Sequence, residues 1–428
     1  MKTAALVHAL ESRKGEATLA SLYGMKPGAL ERQKARYRGL LERFSAAFPN
    51  AKEPRLFSTP GRTEICGNHT DHNGGRVLAA AVDLDAIAVA APTSDGRITV
   101  ESDGYPRQEI RIDDLARKES ERFTAAALPR GVASRMRDTG HQVGGFCACV
   151  TSDVLKGSGL SSSASYEVLV GQVLNEFYNA GKMTGVELAL IAQFSENEYF
   201  GKPCGLMDQT TCALGGFVTI DFQDFSHPVV RGVRSDFNGS GYVPVIVDSG
   251  GSHADLTDEY AAVKQEMRDV ARFFGGRVLR DVPRERVLSE LPRLRGSVSD
   301  RAILRALHFY ADDMRVERQV QALEGGRFEE FLDLVNESGR SSWTLLQNCS
   351  PAGAIDQQSV PIALALSESL LGKDGASRVH GGGFAGTILA FVPAAMLDEY
   401  LASMRAVFGP SSCHALSIRA VGAVKLDL

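Results

Sequence analysis

Apolar positions recur along this chain in two rhythms, and the switches between them mark out its elements. Residues 1 to about 52 are charged with helical spacing, and Pro49 with Pro54 close that stretch, which predicts an N-terminal helical extension. From Leu56 to Val100 short apolar runs alternate with Gly, Pro, Asn and Asp clusters, the pattern of strands and tight turns. Gly145 to Val154 reads as another strand, and a Gly/Ser-rich stretch starting at Gly157 follows it at once. Beyond that stretch Tyr166, Leu169, Val170, Val173, Leu174 and Phe177 share one helical stripe. A second helix is predicted from Thr184, where Thr184 and Glu187 have capping-box spacing, running toward Glu198.

The second half continues with a strand at Val243 to Val247 and a charged helical tract from Asp258 to Phe274. Residues 301 to 347 read as helices broken at Gly325-Gly326, and a strand–glycine–strand unit fills Ser377 to Val392. Strands and helices in this order predict an α+β fold instead of repeated βαβ units. At 428 residues the chain exceeds what one core organises. The expected division is 1–52 as the extension, 53–230 as a first domain and 231–428 as a second.

Composition narrows the partners. Hydrophobic residues at 44% and charged ones at 23% are globular values, and a net charge of −5 offers no footprint for nucleic acid or an anionic membrane. No segment reaches the roughly 20 apolar residues of a membrane span. The most apolar stretch, Val77 to Ala91, carries Asp83 and Asp85, expected at strand ends or on polar faces. The first residues are too briefly apolar for a signal peptide, and seven cysteines without CxxC spacing read as reduced, buried thiols. The expectation is a cytoplasmic protein; monomer or weak dimer both stay open.

Four stretches could carry chemistry. Gly157-Ser-Gly-Leu-Ser-Ser-Ser-Ala164 lies flush between strand and striped helix, where glycines, hydroxyls and a helix N-terminus together suit a phosphate. It is neither a Walker A loop nor a dinucleotide fingerprint, and a flexible connector is the alternative. In Glu196 to Gln209 two acids, Glu196 and Glu198, close a helix whose dipole is already negative, so a cation such as Mg²⁺ would relieve them. Asp208, taken alone, reads first as a cap or Asx-turn residue.

Pro60 to Gly75 packs Arg62, Asn68, His69, Asp71, His72 and Asn73 between two apolar strands, a mixture of donors and acceptors that suits a polyol, with Arg62 as a fork for phosphoryl charge. A long hairpin turn explains its glycines as well, and a His-x-x-His pair without a third soft ligand is a weak metal signal. The glycines of His380 to Gly386 either back the phosphate site or permit close sheet packing.

In their order these stretches resemble the GHMP small-molecule kinases, and within them the galactokinases. Pro60 to Leu78 is similar to the galactokinase signature, Val154 to Glu167 to the phosphate loop, Glu196 to Gln209 to the stretch with the catalytic aspartate, and Arg378 to Thr387 to the C-terminal glycine motif. The resemblance implies an N-terminal domain like the second domain of ribosomal protein S5 and a ferredoxin-like C-terminal domain, with the site between them. It implies ATP and Mg²⁺ as cofactors and a small-molecule sugar as substrate. Asp208 and Arg62 take the catalytic positions. Gly157, Ser158, Gly159, Leu160, Ser161, Ser162 and Ser163 form the triphosphate loop, and Ser163 with Glu196 the metal ligands. Asn68, His69, Asp71, Gly205 and Tyr260 fall on the sugar side.

Two departures stand out. Galactokinases usually read Gly-Glu-His-Thr-Asp-Tyr where this chain has Gly67-Asn68-His69-Thr70-Asp71-His72, which exchanges an acceptor-only carboxylate for an amide and puts sugar identity in question. The first 50 residues are also longer than typical. A kinase for another sugar or amino sugar, and a non-catalytic sugar sensor, are the alternatives. The intact Ser161-Ser162-Ser163-Ala164, Arg62, Glu196 and Asp208 favour the enzyme.

Overall fold

The computed structural model describes residues 3–24, 28–155, 159–251, 256–384 and 386–428. Strands β1 (Arg55–Cys66), β2 (Arg76–Thr93), β3 (Arg97–Ser102), β4 (Gln108–Arg111), β5 (Gly145–Ser152), β6 (Phe217–Asp221) and β7 (Val229–Val233) belong to one large sheet. Strands β8 (Tyr242–Asp248), β9 (Ala376–Val379), β10 (Thr387–Pro393) and β11 (Cys413–Ala415) form a second, and β12 (Val424–Lys425) returns to the first. The large sheet runs β12-β1-β2-β5-β3-β4, antiparallel except for β3 against β5. The long β2 pairs with β1 throughout, with β6 near its start and with β5 near its end.

Alternation along these strands sends successive side chains to opposite faces. Ala86, Ala88 and Ala90 of β2, with Phe146, Ala148 and Val150 of β5, pack beneath helices Ala127–Asp138, Ser162–Tyr178 and Gly185–Phe194. The predicted stripe is the packing face there: Leu169, Val170, Val173 and Leu174 are buried in that layer, with Tyr166 and Phe177 against it. Ile87, Val89, Ala91, Cys147 and Cys149 face the other way, onto helices Thr3–Leu10, Arg13–Tyr23 and Ala29–Ala47. The N-terminal extension is thus the cover of this sheet face. Without it a continuous apolar surface would meet water.

Both Asp83 and Asp85 lie in the middle of β2; Asp83 is half-buried, whereas Asp85 is fully buried and departs from the expectation of strand ends or polar faces. The extension explains how. Arg36 donates to Asp85 at 2.8 Å, Tyr23 at 2.6 Å and Arg419 at 3.1 Å, and the Ser58 hydroxyl bonds to it as well. Burial pushes the Asp85 carboxyl pKa up, but the two guanidiniums and these hydroxyls outweigh it and hold the pKa below its usual range.

The second sheet is antiparallel in the order β11-β8-β10-β9. Helices Ser359–Leu371 and Leu397–Phe408 cover one face, and Asp300–Glu324 with Phe328–Ser341 the other. Ile65, Leu78, Ala80 and Phe217 of the first sheet share one apolar cluster with Ile246, Leu389 and Phe391 of the second. The tail, grouped by sequence with the second half, crosses back: Ile418 bridges to Val82 and β12 pairs with β1. No helix among the described residues is long and apolar enough to cross a membrane.

Candidate active site

The phosphate-loop stretch leaves β5 and enters the helix at Ser162. Gly157 and Ser158 lie outside the described residues. Leu160 is completely buried and its carbonyl accepts from the Arg62 backbone N–H at 3.1 Å, which pins the loop to β1. Gly159 sits at φ +73°, and a Cβ there would stand 2.9 Å from Nδ1 of His380, so the C-terminal glycine turn does back this loop. Ser161, at φ 59° and ψ 60°, adopts a left-handed conformation that costs a non-glycine residue about 1–2 kcal/mol. The conformation aims its hydroxyl at Asp208, to which it is hydrogen-bonded.

Beside the loop lies a cavity of about 860 Å³, of the size that small-molecule sites occupy. Ser162 and Ser163 line one end, and Tyr105, Phe123, Leu128 and Tyr166 add apolar and aromatic wall. Arg32 and Arg36 of the extension also reach this wall.

Asp208 stands in the first turn of helix Met207–Leu214, where an acid is favoured by the helix dipole. The local reading of a cap or Asx-turn does not hold, because the carboxylate turns away from its own backbone. Arg62 Nε donates to Oδ1 at 2.7 Å and Nη2 to Oδ2 at 2.6 Å, while Nη1 bonds the Gly159 carbonyl. One arginine therefore joins strand, loop and acid.

Glu196 lies in a wide π-type turn, Ser195–Phe200, that continues the helix capped by Thr184 and Glu187. Such turns displace side chains from α-helical register and recur at functional sites. Glu196 is buried, and its Oε1 accepts from the Ser163 hydroxyl at 3.0 Å and its Oε2 from Gln209 Nε2 at 2.7 Å. Gln209 also contacts Glu167 at 3.4 Å. Burial, with the charge of Glu196 added to it, pushes the Glu167 carboxyl pKa well up. Its Oε1 and the Oε1 of Gln209 are both buried without a hydrogen-bond partner.

A divalent cation fits the Ser163–Glu196 pair chemically, because both offer hard oxygen donors and Ser163 lines the cavity. No group of three His, Cys, Asp or Glu among the described residues could enclose a metal. One carboxylate and one hydroxyl leave coordination positions for phosphate oxygens and water, the usual habit of Mg²⁺.

The remaining predicted residues gather around the turn after β1. His69 takes a left-handed φ of 59°, hydrogen-bonds the Gly382 carbonyl at 2.8 Å through Nε2 and stacks at 6.3 Å on Tyr260, whose hydroxyl donates to the Gly383 carbonyl at 3.1 Å. Gly205 touches Asp71: a Cβ at 205 would stand 2.5 Å from Asp71 Oδ2. Burial lowers the His69 pKa and raises that of Asp71, and each charge opposes the shift of the other. Asn68 differs from the sequence expectation. It is 1% exposed, and its amide is spent on Glu64 at 2.8 Å, the Gly381 carbonyl at 2.6 Å and Asn348 at 2.6 Å. Both amide hydrogens and the amide oxygen are thus engaged by protein partners.

Sequence reasoning missed Glu64, Asn348 and the Gln209–Glu167 pair. Glu64 was within reach of the period-2 rule, since it shares the face of β1 that carries Arg62. Nothing local marked Asn348, which arrives from a turn 280 residues away from Asn68.

Similarity to known proteins follows the same residues. The galactokinase galactose-binding signature matches residues 42–92, and the GHMP kinase N-terminal domain matches residues 127–216. A galactokinase of Streptomyces coelicolor is 31% identical over 380 residues, covering 87% of this chain and 93% of that protein. Among solved structures, Lactococcus lactis galactokinase complexed with galactose superposes with a TM-score of 0.76 at 23% identity, covering 90% of this chain and 98% of that one. The Methanococcus jannaschii mevalonate kinase gives 0.62 at 14% identity, over 86% and 98% of the two chains. Fold, ordered motifs and sequence identity agree, and the chain belongs to the galactokinase family of GHMP kinases.

Proposed function

We propose that this protein is an ATP-dependent sugar 1-kinase that transfers the γ-phosphoryl group of ATP to the anomeric hydroxyl of galactose or a close relative. The observation that carries the reading is the junction at Asp208. It joins the residues expected to hold phosphate, through Ser161 and Arg62, to a helix whose preceding turn holds Gly205 against Asp71.

Phosphoryl transfer depends mainly on positioning and on neutralising charge, with little covalent work for the protein. Asp208 accepts a hydrogen bond from the acceptor hydroxyl and aims its oxygen at the phosphorus. Arg62 holds that carboxylate by two bonds and brings positive charge to the transferring group. The apolar and aromatic wall of the large cavity suits a nucleotide base, with Ser162 and Ser163 leading to its phosphates. Ser163 and Glu196 would hold Mg²⁺, which would supply positive charge against the phosphates. His69, Asp71, Gly205 and Tyr260 form the sugar side, with Asn68 supporting it from below.

The test is ADP release by the purified protein with Mg²⁺ and ATP against galactose, galactosamine, N-acetylgalactosamine, arabinose and a blank. Turnover on galactose supports the reading. Turnover confined to another sugar moves the specificity, and none with any sugar overturns it.

A further inference from the structure

The turn after β1 presents a substitution of roles that its sequence does not announce. Asn68 is surrounded: both amide hydrogens and the amide oxygen have protein partners, its backbone N–H donates to Asp312 at 3.0 Å, and its carbonyl bonds His308 at 2.9 Å. The partner of one of those hydrogens is the Glu64 carboxylate. Glu64 follows Arg62 by one strand repeat, about 7 Å along the same face of β1. Its side chain keeps 9% exposure, and among the described residues only Asn68 hydrogen-bonds its carboxylate, through Oε1.

We propose that Glu64 is the sugar-recognition carboxylate of this protein, accepting a hydrogen bond from a hydroxyl other than the one phosphorylated, with Asn68 as its support. The proposal rests on the sugar-kinase reading and deepens it. Asp208 marks where the reacting hydroxyl sits, and a group one repeat along β1 meets a different edge of the same ring. The competing role, a counter-ion for buried Arg378, accounts for less: Arg378 Nη2 approaches Oε1 only to 3.5 Å, while Nη1 and Nε serve the Ile65 and Val379 carbonyls.

Burial pushes the Glu64 pKa up to about 7, with Arg378, Asn68 and Arg62 opposing the rise and Asp71 adding to it. Arg62 on its own strand, Arg378 on β9, Asp71 in the turn and His380 at its backbone N–H are the charged and titratable groups that act on it or contact it. A hydroxyl that donates to the carboxylate favours its ionised form. Sugar affinity therefore improves as pH rises through about 7.

The experiment compares wild type, Glu64→Gln and Glu64→Asp by calorimetric sugar binding and steady-state kinetics, with a set of singly deoxygenated sugars. Both variants are expected to raise the sugar KM by roughly tenfold or more, the worth of a hydrogen bond to a charged group, with the KM for ATP unchanged. For the one deoxy sugar lacking the contacted hydroxyl, the gap between wild type and Glu64→Gln closes, and the pH dependence of sugar binding flattens in Glu64→Gln. Equal sugar KM in wild type and variants overturns the assignment, and a lowered Tm with unchanged sugar KM does so in favour of the counter-ion. Wild-type turnover with indifferent variants leaves the kinase reading standing, whereas a wild type that neither binds nor phosphorylates any sugar removes both.

Discussion

Arg62 and Asp208 are 146 residues apart in sequence and meet through two parallel hydrogen bonds of 2.7 and 2.6 Å. The pair is largely withdrawn from water, Arg62 being 8% and Asp208 25% exposed at the side chain. A two-pronged contact fixes the direction of the carboxylate as well as its distance, which a single ammonium would not do. Asp208→Asn keeps the shape and removes the charge, and kcat is expected to fall by about 100-fold or more. Arg62→Lys keeps the charge and loses the planar geometry, with an expected fall of about tenfold. Saturating ADP-release assays read both, and normal turnover in Asp208→Asn would remove that residue from the chemistry.

Ser161 separates backbone strain from function. Its left-handed conformation is natural to glycine, so Ser161→Gly relieves about 1 kcal/mol of strain while deleting the hydroxyl bonded to Asp208. Ser161→Ala deletes the hydroxyl and keeps the strain. Both variants should lose activity to a similar degree, and Ser161→Gly should melt higher than Ser161→Ala. Equal melting temperatures would argue that the strain is not real.

These residues also show what a sequence discloses. The helix over 162–178 was legible because its apolar period is regular, and the helix after Thr184 because its capping box is a local contact between Thr184 and Glu187. Arg62 and Asp208 were legible as candidates through their motifs, while their contact was not, since it forms only when β1 meets the Met207–Leu214 helix. Asn68 misled for the same reason. An amide on a polar turn looks available until Gly381 and Asn348 arrive from far along the chain to occupy it. The extension was legible as helical, but its purpose lay in the face of the sheet it covers and in Asp85.

Asp85 is the point where the extension, the sheet and the tail are tied together, through Arg36, Ser58 and Arg419. Asp85→Ala would leave two guanidiniums without their shared partner, and a loss of about 3–5 kcal/mol is expected in denaturant unfolding. The pH dependence follows from the depressed carboxyl of the folded state. Above the unfolded value of about 4 the contribution is fully present, and it is lost as pH falls through the lower folded value. Wild type should therefore shed stability below about pH 4 more steeply than Asp85→Asn. Parallel acid limbs in the two proteins would count against the network.

Gly205 provides a substitution whose effect should stay on the sugar side. It precedes the helix of Asp208 without a positive φ, so alanine meets no backbone strain there. The added methyl would stand 2.5 Å from Asp71 Oδ2, closer than such atoms approach, and the carboxylate must swing aside. Asp71 lies in a short turn with its carboxylate held locally, by the His72 backbone N–H, so the shift is expected to cost the fold little and the sugar contact much. Gly205→Ala is expected to raise the sugar KM by roughly tenfold while the KM for ATP and the melting temperature hold, because Gly205 does not line the cavity proposed for the nucleotide. A rise in the KM for ATP instead would place Gly205 on the nucleotide side and detach Asp71 from sugar recognition.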